Sequence, residues 1–388
     1  MFNFDYYNPT HIVFGKNRIG ELSKLIPEKS RVLMTYGGGS AKRSGLIGKI
    51  QASLGNIASF EFGGIEPNPR YETLVKAIDI IKKERIDFLL TVGGGSVIDG
   101  TKFLALAAKC KGEPQDLLKF GLAPIPPEVS SEALPIGVVL TLPATGSEMN
   151  SGAVISLGHA KLPVMSGLVF PRFSILDPTI TFTLPKVQVA NGIVDAFVHT
   201  TEQYVTFPVA APLQDRMAEG ILQTLIEIGE TSVNEPENYD ARASHVWSAT
   251  MALNGIIAVG VPQDWATHMI GHELTALFSI DHGQTLAIIL PSLLDVRRKQ
   301  KRAKLIQYAE RVWNVASGSD DDKVEAAIAK TREFFERLGV KTRLSQYGVG
   351  AERIPEVVAQ LKEHGMTALS ETGDLDLATS EKILRNAL

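Results

Sequence analysis

"RIDFLLTVGGGSVIDGTKFLALAAKCK", residues 85–111, decides the fold. An apolar run enters three glycines and a serine, and apolar residues at helical spacing follow. That order reads as buried strand, tight turn and helix. The pattern occurs twice, since "RVLMTY" (31–36) runs into "GGGSAKRSG" (37–45). "IGVVLTLP" (136–143) and "FSILDP" (173–178) read as further strands, and "YETLVKAIDIIKKE" (71–84) as a helix. Such alternation predicts a largely parallel sheet covered by helices.

Strand signals stop near residue 183. "TLPKVQVANGIVDAFVHTTEQYV" (183–205) opens a helix, with Thr183 as the expected N-cap and Pro185 in the first turn. Successive amphipathic helices follow to Leu388, among them "DDKVEAAIAKTREFFERLG", closed by Gly339. The expected fold class is α/β plus all-α: an α/β domain over 1–184 and an all-helical domain over 185–388.

The 388 residues suffice for two cores, and 44% hydrophobic with 21% charged residues is the balance of a soluble globular protein. A net charge of −4 offers no footprint for nucleic acid or an acidic membrane surface. The single cysteine, Cys110, excludes an internal disulfide and a cysteine-rich zinc site. The opening "MFNFDYYNPT" lacks the basic and apolar regions of a signal peptide, so a cytoplasmic protein is expected. "FNFDYYNPTHIVFG" reads as strands with an aromatic face. An exposed edge of that kind invites pairing with a second copy, hence an expected homodimer.

Each GGGS turn follows a strand and opens a helix. Glycine lets a ligand approach the backbone, and the helix N-terminus presents unpaired N–H groups with partial positive charge. Two such turns in one domain point to a phosphate-bearing dinucleotide. Ser96 is placed to cap the second helix. "GSVIDGTK" has Walker spacing but carries its lysine one position late, so ATP hydrolysis is set aside. The first turn holds no acid and is followed by Lys42 and Arg43, which favours NADP over NAD.

"NGIVDAFVHTTEQ" (191–203) sets Asp195 and His199 four residues apart, on one helical face. "VPQDWATHMIGHELTALFSIDHGQ" (261–284) adds His268 and His272 at the same spacing, then His282. Nitrogen and carboxylate donors of this kind suit Zn2+ or Fe2+. Gly192 and Gly271, within helices, leave room for a close approach. Five donors exceed a tetrahedral site's needs, and spacing does not choose among them.

With these residues in place, the chain resembles the iron-activated (group III) alcohol dehydrogenases, in their NADPH-dependent aldehyde reductase and butanol dehydrogenase branch. The likeness runs through "TYGGGSAKRSG", "FGGIEPNP", "VGGGSVIDGTK", "LTLPATGSEMNSGAVIS", the two histidine stretches and "QYAERVWNV". It implies a Rossmann-like domain followed by a helical one, as in dehydroquinate synthase-like proteins, with the active site in the cleft. It implies Asp195, His199, His268 and His282 as metal ligands, and His272 facing substrate and nicotinamide. Gly94, Gly95, Ser96 and Asp99 match the pyrophosphate and nicotinamide-ribose site, and Thr141 and Thr145 lie along the cofactor. Gly37, Gly38, Gly39 and Ser40 match the adenosine-ribose end, with Asn68 and Lys161 beside it. The implied activity is hydride transfer from NADP(H) to small aldehydes, and back from alcohols, at one Fe2+ or Zn2+. A dehydroquinate synthase-like lyase is the alternative, but the neutral stretches around the ligands suit an uncharged substrate.

Overall fold

The apolar runs become strands, and the chain returns through helices between them. A computed structural model describes residues 1–388. Its strands are β1 (His11–Phe14), β2 (Arg31–Tyr36), β3 (Ala58–Phe62), β4 (Phe88–Gly94), β5 (Ile136–Leu142), β6 (Gly152–Leu157), β7 (Ala160–Met165) and β8 (Phe173–Leu176). Six of them form one parallel sheet in the order β1-β8-β5-β4-β2-β3. β6 and β7 form a separate antiparallel hairpin. β4 is buried along Phe88–Gly93, which is why its sequence is apolar but for Thr91 and does not alternate. After β2 the chain steps outward to β3, and after β4 it steps the other way to β5. β2 and β4 are neighbours, so strand order reverses between them. Their carboxyl ends, which carry the two GGGS turns, flank the switch point where such sheets bind ligands.

This unit spans Tyr7–Thr183. The other comprises Leu184–Leu388 together with Met1–Tyr6. The expected aromatic strands at the start reduce to the four residues of β1. The first six residues instead pack with the helical unit, and the Phe2 N–H donates to Gly260 O at 2.9 Å. Gly260 makes this possible: a Cβ there would lie 2.5 Å from Met1 Cγ. β3 escapes a sequence reading because it is an edge strand of half-exposed residues without an apolar run.

The helical unit is built round Lys186–Tyr204, whose residues Val189–Tyr204 are all buried. Pro185 is its N-cap; Thr183, expected to cap it, lies in the preceding 3-10 turn, because the chain bends at Leu184 and Pro185, with φ −58° and ψ 144°, stands outside the helix before it starts. Pro212–Asn234, Tyr239–Ala252 and His282–Val296 pack against that central helix, and Ala266–Phe278 packs on both it and His282–Val296. Asp320–Arg337 starts at a Ser319 capping box and ends before Gly339, whose φ of 83° stops the helix. No helix is long and apolar enough to cross a membrane.

Candidate metal centre and nucleotide turns

Helical periodicity places Asp195 and His199 on one face of Lys186–Tyr204. His268 and His272 lie on Ala266–Phe278, and His282 is the first residue of the next helix. Those helices meet closely through glycines. A Cβ on Gly283 would lie 2.6 Å from Asn191 O, and one on Gly271 would lie 2.9 Å from Thr285 Oγ1. The room left at Gly271 therefore admits the His282–Val296 helix.

The result is a convergent set of donors. Asp195 Oδ1 lies 3.5 Å from His199 Nε2, 3.6 Å from His268 Nε2 and 3.6 Å from His282 Nε2. Donor atoms of Asp195, His268 and His282 all lie within 4.8 Å of one another. The His199 ring stacks on that of His268, with centroids 4.6 Å apart. Neither His199 nor His272 belongs to that group of three; the His272 ring lies 6.2 Å from that of His268 and 5.3 Å from that of His282.

These separations exceed hydrogen-bond length, yet approach the roughly 3.4 Å between ligands each about 2.0–2.1 Å from one tetrahedral ion. Asp195 Oδ1 and His268 Nε2 are buried and make no hydrogen bond. Buried polar atoms are normally satisfied, and a cation among these donors satisfies both, so the residues fit a divalent ion. Burial by itself raises the Asp195 carboxyl, but the His199 charge and the other histidines outweigh it and hold the group below its ordinary range. Burial pulls His199 down to about 4, partly offset by Asp195. Burial also pulls on His268, but the Glu202 and Asp195 charges prevail and raise it to about 9.

Glu202 is the functional residue that sequence reasoning missed. It is buried, its Oε2 is hydrogen-bonded with His268 Nδ1, and its Oε1 accepts the Thr267 N–H at 2.7 Å. This carboxylate fixes the ring so that Nε2 faces Asp195. Its position seven residues after Asp195, two turns along the same face, was a usable signal.

In the α/β unit, Gly39 takes a φ of 96°, and Ser40 opens a four-residue helix. Gly94 is the N-cap of Gly95–Ala107. Ser96 is not the cap: its Oγ accepts the Asn68 N–H at 3.2 Å. A Cβ on Gly95 would lie 2.5 Å from Thr145 Oγ1, so the glycine lets the Thr145 loop close on the turn. Asp99 orders the same loop, its Oδ1 accepting from Ser147 Oγ at 2.6 Å and its Oδ2 from the Val154 N–H at 2.9 Å. Burial raises the Asp99 carboxyl, while the Lys102 and Lys161 charges counter it. Thr141, at the end of β5, is half-buried. Asn68 and Lys161, expected beside the first turn, are thus also tied to residues of the second.

Lys102, the lysine one place late for a Walker motif, is fully buried and donates to Ser147 Oγ, Asn150 Oδ1 and Gly152 O at 2.8–2.9 Å. It serves the loop, not an open phosphate. Lys42 is likewise not a free cation. It pairs with Glu61 at 2.9 Å, and that carboxylate also accepts from Tyr36 OH at 2.7 Å. The first turn therefore has an acid beside it after all, supplied by the neighbouring strand β3 and neutralised by Lys42. Arg43 donates to Gly38 O at 3.3 Å.

Comparison with known proteins matches both halves of the chain to one family. Residues 9–178 match the family model for iron-containing alcohol dehydrogenase, and residues 189–385 match that for the C-terminal part of the Fe-containing alcohol dehydrogenase family. The chain is 55% identical to the NADPH-dependent aldehyde reductase YqhD of Escherichia coli (strain K12), with 100% of each covered. It is 41% identical to a probable NADH-dependent butanol dehydrogenase of Bacillus subtilis (strain 168), over 94% of this chain and 95% of the relative. The crystal structure of Escherichia coli YqhD superposes with a TM-score of 0.96 at 54% identity, covering 100% of this chain and 99% of that one. The chain belongs to the iron-containing alcohol dehydrogenase family.

Proposed function

We propose that this chain reduces small aldehydes to primary alcohols with NADPH, and runs the reverse reaction, at one Fe2+ or Zn2+ held by Asp195, His199, His268 and His282. The observation that carries the assignment is the buried Asp195 Oδ1, without a hydrogen bond, facing three imidazole nitrogens at 3.5–3.6 Å. When bound, the ion supplies Lewis acidity toward a carbonyl oxygen and NADPH supplies the hydride.

The chain's own residues do the rest. Asp195 stays ionised and offsets the ion's charge. Glu202 holds His268 with its Nε2 lone pair toward the ligand group. The proton that completes the alcohol comes through water, the ribose hydroxyls or His272, whose ring is 5.3 Å from that of His282. Gly37, Gly38, Gly39 and Ser40 lie along the adenosine-ribose end of the cofactor, and Gly94, Gly95 and Ser96 hold its pyrophosphate at the N-terminus of the helix they open. Asp99 accepts from a ribose hydroxyl, Thr141 and Thr145 flank the cofactor, and Asn68 and Lys161 hold its adenosine-ribose end. NADP over NAD is supported by the 55%-identical NADPH-dependent relative and by Arg43.

The working form is a homodimer in the cytoplasm. Support for the dimer comes from the exposed aromatic residues Phe2, Phe4, Tyr6 and Tyr7 near the N-terminus. A monomer mass by light scattering would contradict it.

Following the absorbance of reduced nicotinamide with butanal and NADPH tests the function. Steady consumption that stops on treatment with a chelator is expected. No net consumption would favour the dehydroquinate synthase-like alternative.

A further inference from the structure

Trp265 is a bulky aromatic in a left-handed backbone conformation, with φ 63° and ψ 1°. Residues of this size rarely adopt it, and such strain persists only where the surroundings impose it. It is the N-cap of the Ala266–Phe278 helix, three residues before His268. Its indole meets the His268 ring edge-on, with centroids 5.5 Å apart and planes at 70°. It meets His199 in the same manner at 6.1 Å and 62°. One side chain thus touches both members of the stacked histidine pair.

The strained turn is fastened from behind. The Asp264 N–H donates to Glu202 O at 2.9 Å, and Asp264 Oδ1 accepts the Ala266 N–H at 3.1 Å. Asp264 Oδ2 lies 2.7 Å from Lys301 Nζ. Lys301, fully buried, also binds Glu371 at 2.9 Å and Val205 O at 2.9 Å. The indole N–H is held by Gln263 Oε1 at 3.0 Å. Backbone, carboxylate and indole are therefore all anchored, and the ring's freedom is spent on contact with two imidazoles.

We infer that Trp265 is a positioning residue for the metal centre: the Asp264–Lys301 anchor wedges its indole against His199 and His268, confines both rings and slows loss of the ion. The inference rests on the metal-centre reading above. Nothing in the wedge depends on substrate or nucleotide, so it is read without turnover.

Full-length protein loaded with zinc is challenged with an excess of a chromogenic chelator, and the rate of zinc transfer is followed for wild type, W265N and W265F. Asparagine tolerates a left-handed backbone and removes the wedge; phenylalanine keeps an aromatic edge. W265N is expected to release zinc about tenfold faster, and W265F within about twofold of wild type, the lower end of what lost support around a ligand does to metal binding. Thermal melting of the zinc-free proteins verifies that each is folded. Release from folded W265N at the wild-type rate overturns the inference and leaves the metal centre standing. Release from W265F at the faster rate also overturns it, whether or not W265N folds. A wild-type protein that takes up no zinc overturns the metal-centre reading itself, and the inference with it.

Discussion

Glu202 grips His268 from both sides of its attachment: Oε2 is hydrogen-bonded with the ring Nδ1, and Oε1 accepts the His268 backbone N–H at 3.3 Å as well as that of Thr267 at 2.7 Å. Glu202 follows Asp195 by two turns of one helix, so a single element supplies a carboxylate donor to the centre and the support for a donor on another. Removing the support leaves the ring free to turn. Glu202→Ala is expected to weaken metal affinity by about 10–100-fold, with Glu202→Gln retaining more because it keeps an acceptor. Competition against a chelator of known affinity measures both; equal affinity for wild type and Glu202→Ala would contradict the role.

The same contact predicts proton release. His268 is raised to about 9 by the neighbouring carboxylates, so in metal-free protein it carries its proton at neutral pH. His199, lowered to about 4, does not. An imidazole must be neutral to bind, so the ion displaces the His268 proton. Below about 9, apparent metal affinity should rise about tenfold per pH unit and flatten above it. Calorimetry in buffers of different ionisation enthalpy should show about one proton released at neutral pH. A pH-independent affinity between pH 6 and 8 would contradict this.

Gly95 and the metal centre are separable. A Cβ on Gly95 would lie 2.5 Å from Thr145 Cγ2 and Oγ1, so Gly95→Ala must push the Thr145 loop off the turn. NADP+ affinity should fall at least about tenfold, the scale of a small residue overpacking a closed site, while metal content is unchanged. Fluorescence titration with NADPH and metal analysis check the two halves. Unaltered nucleotide binding would remove the second turn from the cofactor site.

Lys301 is a stability element of the helical unit. It is the cation between buried Asp264 and Glu371, whose side chain is 5% exposed. Lys301→Met leaves both carboxylates without it and should destabilise the unit by about 3–5 kcal/mol. A urea midpoint lowered accordingly is expected; an unchanged midpoint would show that water reaches the pair.

Much of this was legible before any coordinates, for identifiable reasons. β2, β4 and β5 are nearly fully buried and wrote mostly apolar runs. Asp195 and His199, and His268 and His272, announce themselves because local helical spacing puts each pair on one face. Contacts between distant segments leave no such trace. The Lys42–Glu61 pair joins a turn to the next strand, and Lys301 binds residues up to 96 positions away. Neither the edge strand β3 nor the left-handed Trp265 has a residue pattern that announces it. Spacing alone also left five candidates for the metal; the three-dimensional grouping brings Asp195, His268 and His282 together, with His199 Nε2 3.5 Å from Asp195 Oδ1, and does not include His272.

Metal content of five single variants tests the central claim most directly. Asp195→Ala, His199→Ala, His268→Ala, His282→Ala and His272→Ala are purified alike and analysed by mass spectrometry for iron and zinc per chain. The first four are expected to come out nearly metal-free, and His272→Ala to retain the wild-type content with impaired turnover. A metal-free His272→Ala, or full occupancy in any of the other four, would contradict the assignment.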